Sequence, residues 1–307
     1  LCTPSTALID DLSRGAGDLL ILGAGGKMGP TLAVLARRGL DAAGREGDTV
    51  YAVSRFGDDV VRQRLESANV RTISFDLIEN DDFSQLPDAE NVVFMVGAKF
   101  GAATNASWAW EVNAALPDRV ARRYRDSAIV ALSTGNVYPF LPAASGGATE
   151  DVVPAPIGEY AQSCLGRERV FEFAAEQRGT RVATIRLNYA VDLRYGVLAD
   201  IGGAVRDQAP VSVGTSNVNV VWQGYANEVV LRSLTRASAP AWSSRCGRSS
   251  ASRCAWRWRC RGILMCRSSR SARNRRRHGS HVSPTYRSCA TSSPSRSNCC
   301  RRCRGWC

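Results

Sequence analysis

The sequence predicts an α/β fold, a doubly wound parallel sheet flanked by helices, and three observations carry the prediction. A glycine-rich turn, Gly23-Ala24-Gly25-Gly26-Lys27-Met28-Gly29, follows the apolar run Leu19–Leu22 and leads into an apolar stretch with helical spacing. Five further short apolar runs end in polar or small-residue turns. Hydrophobic periodicity then stops abruptly near Arg236, so the fold is expected to lie before that point.

The first strand is Leu19–Leu22, and the order strand, turn, helix after it is what cradling a dinucleotide pyrophosphate requires. One glycine lets the chain turn tightly and another lets backbone N–H groups approach the phosphates. The last lets the helix begin close to the strand with its positive dipole end toward the anion. Gly23, Gly26, Lys27, Met28 and Gly29 are therefore candidate cofactor residues. The plain alternative is a strand-to-helix turn in some other α/β protein.

The second strand, 49–53, ends in Ser54-Arg55, where an NAD-preferring fold offers Asp or Glu to the ribose 2′-hydroxyl. Arg55 instead suits the 2′-phosphate of NADP, because a planar guanidinium binds phosphate through two parallel N–H groups. NADP(H) is thus favoured over NAD(H), against the alternative of a solvated arginine at a strand end. The third strand, 70–75, closes in Asp76-Leu77, a carboxylate and an apolar side chain placed for adenine. The fourth, 91–96, runs into Gly97-Ala98-Lys99-Phe100-Gly101, a turn through which a nicotinamide ribose can pass.

The fifth strand, 128–132, delivers Ser133, Thr134 and Tyr138 at its C-terminal end, where open α/β sheets place their ligands. A Pro-rich approach through Pro154 and Pro156 sets Tyr160 at the beginning of a helix. The sixth strand, 181–187, ends in Asn188-Tyr189; a short strand at 218–222 and a helix at 228–234 follow. The organisation read from this is an N-terminal extension (1–18), a nucleotide-binding domain (19–190), a small and incomplete substrate lobe (191–236) and a tail (237–307).

Composition divides the chain sharply. Residues 1–236 hold all 28 acidic residues against 23 of the 40 Lys and Arg, a net charge of −5, so the basic balance of the whole belongs to the tail. The tail holds 17 Arg, 16 Ser and 9 of the 11 Cys, with no acidic residue. Three readings of it stand side by side. Arg275-Arg276-Arg277 with Trp256 and Trp258 suits a nucleic-acid arm. Cys300 and Cys303 with His278 and His281 are zinc-ligand types, without a repeated zinc spacing. The reading taken here is that Arg, Ser, Cys, Trp and Gly are what a G/C-rich gene yields out of frame, with no packing of its own.

Before the tail there are only Cys2 and Cys164 and no histidine, which excludes a Ser-His-Asp triad, a histidine base, a disulfide framework and a Cys- or His-ligated metal there. Chemistry falls to Tyr, Ser/Thr, Lys and carboxylates, or to a cofactor. With no signal peptide and no apolar run of membrane length, the expectation is a cytoplasmic protein acting on a small-molecule substrate. Neither a membrane nor nucleic acid is an expected partner, and a homodimer is allowed.

Together these residues resemble the extended short-chain dehydrogenase/reductase superfamily, in its NAD(P)-dependent epimerase/dehydratase group, over about residues 18 to 236. Gly23, Gly26 and Gly29 match the family's Gly-x-x-Gly-x-x-Gly, and Arg186 and Asn188 its Arg-x-Asn. The resemblance implies a Rossmann-type fold with Thr134 and Tyr160 catalytic, Tyr160 being the acid/base. It also implies Lys99 near the cofactor, Asn113 supporting the site, and Asn188 beside it. One departure bears on mechanism: the family's Tyr-x-x-x-Lys is here Tyr160 with Cys164 at the fourth position. The family lysine holds the nicotinamide ribose and lowers the tyrosine pKa, and a neutral thiol does neither.

Two functions follow from this. In the first, Tyr160 and Thr134 assist hydride transfer at a hydroxyl-bearing carbon of a sugar, sugar nucleotide or related molecule, with Lys99 or the cofactor supplying the positive field. In the second, the chain is a catalytically weak NADP(H)-binding sensor or scaffold.

Overall fold

Each expected apolar run becomes a strand of one parallel sheet: β1 (Leu19–Leu22), β2 (Val50–Ser54), β3 (Arg71–Ser74), β4 (Asn91–Phe94), β5 (Ala128–Thr134) and β6 (Arg181–Leu187). The computed structural model describes residues 1–57, 59–99, 104–211, 214 and 217–240. The strands lie in the order β3-β2-β1-β4-β5-β6. The chain order thus reverses between β1 and β4, whose carboxyl ends flank the crevice in which such sheets bind ligands. The second to fifth strands differ from the sequence reading by one or two residues at their ends. β2 takes in Ser54 because that residue pairs with Ser74, and β5 runs to Thr134 because Ser133 and Thr134 pair with Arg186 and Leu187.

The alternation of side chains along a strand builds two core layers. Leu19 and Ile21 of β1 join one cluster and Leu20 and Leu22 the other, and every residue of β5 is buried. The first layer is covered by α1 (Thr6–Leu12), α2 (Gly29–Ala42) and, along the edge, α3 (Asp59–Glu66). The second layer is covered by α5 (Leu116–Arg123) and α6 (Glu159–Arg178), while α4 (Ala106–Trp110) packs against α6 and leads through a π-helical turn at Glu111–Ala115 into α5. There Phe171 of α6 meets Phe94 of β4 edge to face at 5.6 Å. Gly179 ends α6 in the left-handed conformation, φ 72°, that a residue without Cβ takes at no steric cost.

After β6 the chain leaves the large sheet. β7 (Tyr189–Val191) pairs in parallel with β8 (Val220–Trp222), and α7 (Val197–Arg206) lies between them in sequence. α8 (Gln223–Ser233) then returns to α1 and α2 and places Val230 and Leu231 in the first core layer, followed by Leu234. The 191–236 segment therefore contributes a helix to the first core layer, and the N-terminal 1–18 segment contributes α1 to the same layer. Among the described residues β6 is the outer strand, bridged to Ser238 by two backbone hydrogen bonds of Val182 at 3.0 and 3.3 Å. The three readings of the tail concern residues that, from 241 to 307, lie outside the described residues, as do Phe100 and Gly101. Among the described residues no helix is long and apolar enough to cross a membrane.

Candidate active site

The glycine turn sits at the carboxyl end of β1, and its own packing dictates two of its glycines. Gly23 has φ 91°, and a Cβ there would stand 3.1 Å from the Val96 backbone nitrogen. A Cβ at Gly29 would collide with the Ala24 carbonyl, so the helix can start this close to the strand only with glycine. Gly26 is different: a Cβ would meet only the Gly23 carbonyl, at 3.5 Å. Nothing in the protein itself demands glycine at 26, and the bare backbone is what close approach of a pyrophosphate uses. α2 begins at Gly29 without a side-chain cap on Met28, which leaves the amides of its first turn for an anion. Ser54, the last residue of β2, lies against Gly25 of the turn.

Arg55 is 76% exposed and lies 3.7 Å from the Asp76 carboxylate. Asp76 also accepts the backbone N–H groups of Ile78 and Glu79 at 2.9 and 3.3 Å, which closes the turn after β3. Leu77 packs into the second core layer beside Phe75 and Phe83. Lys27 lies 4.9 Å from the centroid of the Tyr195 ring, and Met28 packs with Val221 and Ala226. These two contacts join the glycine turn to the segment after β6.

The loop after β4 is pinned by Asn113, which is fully buried on the π-helical turn. Its side chain accepts from the Ala98 N–H at 3.0 Å and donates to the Ala98 carbonyl at 3.2 Å and to Ser163 Oγ at 2.9 Å. Gly97 thereby sits directly over the Arg167 guanidinium. Lys99 lies with its ammonium 4.6 Å from the centroid of the Tyr189 ring.

Thr134 ends β5, and Tyr160 lies in the first turn of α6 as the Pro-rich approach predicts; the Thr134 hydroxyl lies beside the Tyr160 phenol. Cys164, one turn along α6 and 1% exposed, contacts the same phenol. Burial pushes the Tyr160 phenol up to about 12; Cys164 adds to the rise, and the Thr134 hydroxyl and the Arg167 charge oppose it. Burial likewise pushes the Cys164 thiol up, so the thiol form dominates there. Beside this pair, Arg186 donates to Glu168 at 2.7 Å and to the Tyr138 hydroxyl at 2.9 Å, while Ser133 donates to Glu168 at 2.5 Å. Asn188 packs its side-chain oxygen against Gly135, where a Cβ would collide with it. Among the described residues no group of three or more His, Cys, Asp or Glu is placed to hold a metal ion.

No family model and no curated protein sequence matches the chain. Solved structures do. DesIV, a dTDP-glucose 4,6-dehydratase from Streptomyces venezuelae solved with NAD, superposes with TM-score 0.62 at 18% identity, over 73% of each chain. UDP-glucuronic acid 4-epimerase from Bacillus cereus, solved with UDP-glucuronic acid and NAD, gives TM-score 0.57 at 14% identity over 68% of this chain and 70% of that one. UDP-glucose 4-epimerase from Thermotoga maritima gives 0.56 at 16% identity over 70% and 72%. The chain has the Rossmann-type α/β fold of these structures.

Within that fold the structure brings Thr134, Tyr160 and Cys164 together and sets Lys99 on Tyr189. The cation acting on the Tyr160 phenol is Arg167. Arg167 was not among the candidate site residues. Its signal was the spacing of 160, 164 and 167, which returns all three to one helix face. Ser163, Glu168 and Gln223 were also missed as supporting residues, since their partners come from elements far away in sequence.

Proposed function

We propose that this chain is an NAD(P)-dependent oxidoreductase of the epimerase/dehydratase or reductase kind, acting on a hydroxyl-bearing carbon of a sugar, sugar nucleotide or related small molecule. The observation that carries the reading is the contact between Tyr160 and Thr134 at the carboxyl edge of the sheet, on the strand next to β4 and the switch point. The fold's neighbours support it, being named as enzymes of UDP-sugars and dTDP-glucose, with NAD bound in two of them.

The residues present fit a dinucleotide. Gly23, Gly26, Lys27, Met28 and Gly29 hold the pyrophosphate, Ser54, Arg55, Asp76 and Leu77 line the adenosine end, and Gly97, Lys99, Asn113, Tyr160 and Asn188 surround the nicotinamide end. When bound, the nicotinamide supplies the hydride acceptor or donor. The Tyr160 phenol gives a proton to the substrate oxygen or takes one from it, and the Thr134 hydroxyl holds that oxygen with a second hydrogen bond. Asn113 fixes the Ala98 backbone in advance, so that stretch of backbone is already in place when a cofactor binds.

NADP(H) is the preferred cofactor in this reading, supported by the exposed Arg55 guanidinium. Its 3.7 Å contact with Asp76 is a surface pair of little strength, which a phosphate displaces at small cost. A cytoplasmic location fits the two free cysteines, Cys2 and Cys164. A homodimer fits the apolar surface that α4 and α6 leave exposed at Trp108, Trp110 and Phe173. Nicotinamide fluorescence titration combined with a turnover panel of sugars and sugar nucleotides tests the function: cofactor bound with no turnover of any member leaves only the sensor or scaffold.

A further inference from the structure

Tyr160 is a half-buried phenol, and burial favours its neutral form. To exchange a proton with a substrate it needs a positive charge that is already in place. Among the described residues, the side chains acting on it are Cys164, Thr134 and Arg167, of which only the last is charged.

What holds Arg167 is informative. It is 5% exposed, and it donates to the Leu132 carbonyl at 2.6 Å, the Asn113 carbonyl at 3.3 Å and the Asn113 side-chain oxygen at 2.7 Å. The Phe94 ring lies 5.2 Å from the guanidinium carbon. Every one of these partners is neutral. Glu168, the nearest carboxylate in sequence, is committed to Arg186 and Ser133 on the other side of α6. A buried guanidinium without a hydrogen-bonded carboxylate is costly, and its field is not screened by water; Glu168 opposes it from a distance, without a hydrogen bond. That field falls on the face of α6 carrying Cys164 and Tyr160. The groups facing this pair are Cys164 and Glu168 from α6, Asn113 from the π-helical turn, Thr134 from β5 and Gly97 from the loop after β4.

We propose that Arg167 is the fixed positive charge serving Tyr160, a positioning residue that stabilises the ionised phenol from inside the core. This rests on the proton-transfer role proposed for Tyr160, but it is tested without turnover. In the full chain, a fluorinated tyrosine at position 160 brings the phenol titration into an accessible pH range, read by fluorine NMR. Arg167→Gln removes the charge and keeps N–H donors. Arg167→Lys keeps the charge and loses the fork. Asn113→Asp leaves the guanidinium in place and sets a carboxylate against it. The expected result is a titration midpoint raised by about one pH unit or more in Arg167→Gln and Asn113→Asp, with Arg167→Lys close to the parent. Unmoved midpoints in both charge-cancelling variants overturn the proposal; if Arg167→Gln does not fold, Asn113→Asp against Arg167→Lys decides it. NADPH fluorescence titration of the parent separates the two readings: raised midpoints with no cofactor binding refute the enzyme and leave this inference standing. Bound cofactor with unmoved midpoints does the reverse.

Discussion

The side-chain amide of Gln223, the first residue of α8, donates to Thr31 Oγ1 in the first turn of α2 across 2.6 Å. Asn227, one turn along α8, donates to the same oxygen at 3.0 Å, and the Thr31 hydroxyl donates to the Met28 carbonyl at 2.9 Å. The Tyr195 hydroxyl donates to the carbonyl oxygen of the same Gln223 side chain, while its ring lies against Lys27. One buried threonine therefore ties α8 to the helix that follows the glycine turn.

Thr31→Val keeps the shape but strands two buried amide donors. We expect a loss of about 2–4 kcal/mol in urea unfolding, with Thr31→Ser close to wild type. Equal stability of Val and wild type would show that the network contributes nothing.

Asp11 of α1, 3% exposed, accepts from Arg232 at 2.6 Å and from Arg236 at 3.3 Å. Burial alone pushes its carboxyl up, but the two arginines more than offset this and hold it below its ordinary value of 3.8. A carboxyl depressed in the fold stabilises the fold above its unfolded value, and that stability is lost as pH falls through the folded one. Asp11→Asn is therefore expected to cost about 2–4 kcal/mol at neutral pH. The gap to wild type should close below pH 3.8 in acid unfolding monitored by circular dichroism. A gap that persists unchanged well below pH 3.8 contradicts the assignment.

Introducing lysine at position 164 does not restore a family arrangement here, because Cys164 is 1% exposed and Arg167 already occupies the same helix face. Cys164→Lys brings two cations together in the core and is expected to lose about 3 kcal/mol or more. Adding Arg167→Met should recover part of that loss, a coupling of about 1–3 kcal/mol in a double-mutant cycle. Additive losses would mean that the two positions do not share one seat for a cation.

Arg55→Ala is expected to weaken NADP(H) binding by about 1–3 kcal/mol and to leave NAD(H) nearly unchanged. Fluorescence titration with both reduced cofactors measures the difference. Equal weakening, or tighter wild-type binding of NAD(H), removes the NADP(H) preference.

The sheet was legible because its central strands β1, β4 and β5 are apolar runs buried on both faces, and such runs stand out between turns. Gly23 and Gly29 were legible for the same local reason: turn and helix start are adjacent in sequence. Thr134 and Tyr160 came from the resemblance, and the contact between them lies across the sheet edge and an intervening loop, where no local pattern speaks. α1 is only 7 residues long, too short to show helical periodicity; its signal was Ser5, whose hydroxyl caps the Leu8 N–H at 3.1 Å. The return of α8 to α2 is a tertiary choice made by Gln223 and Asn227, polar residues that sequence alone assigns to the surface. Arg167 was passed over for a similar reason. A charged residue reads as solvated unless its neutral partners, here Asn113 and Leu132, are known.

The central claim is that Tyr160 moves the proton in a nicotinamide-dependent reaction. Its most direct test is turnover of a panel of sugars and sugar nucleotides with NADP(H) or NAD(H), comparing wild type with Tyr160→Phe after cofactor binding has been confirmed in both. We expect measurable turnover in wild type and a fall of about 10²–10⁴-fold in Tyr160→Phe with cofactor affinity retained. Undiminished turnover in Tyr160→Phe, or a wild type that binds cofactor and turns over no member of the panel, contradicts the account.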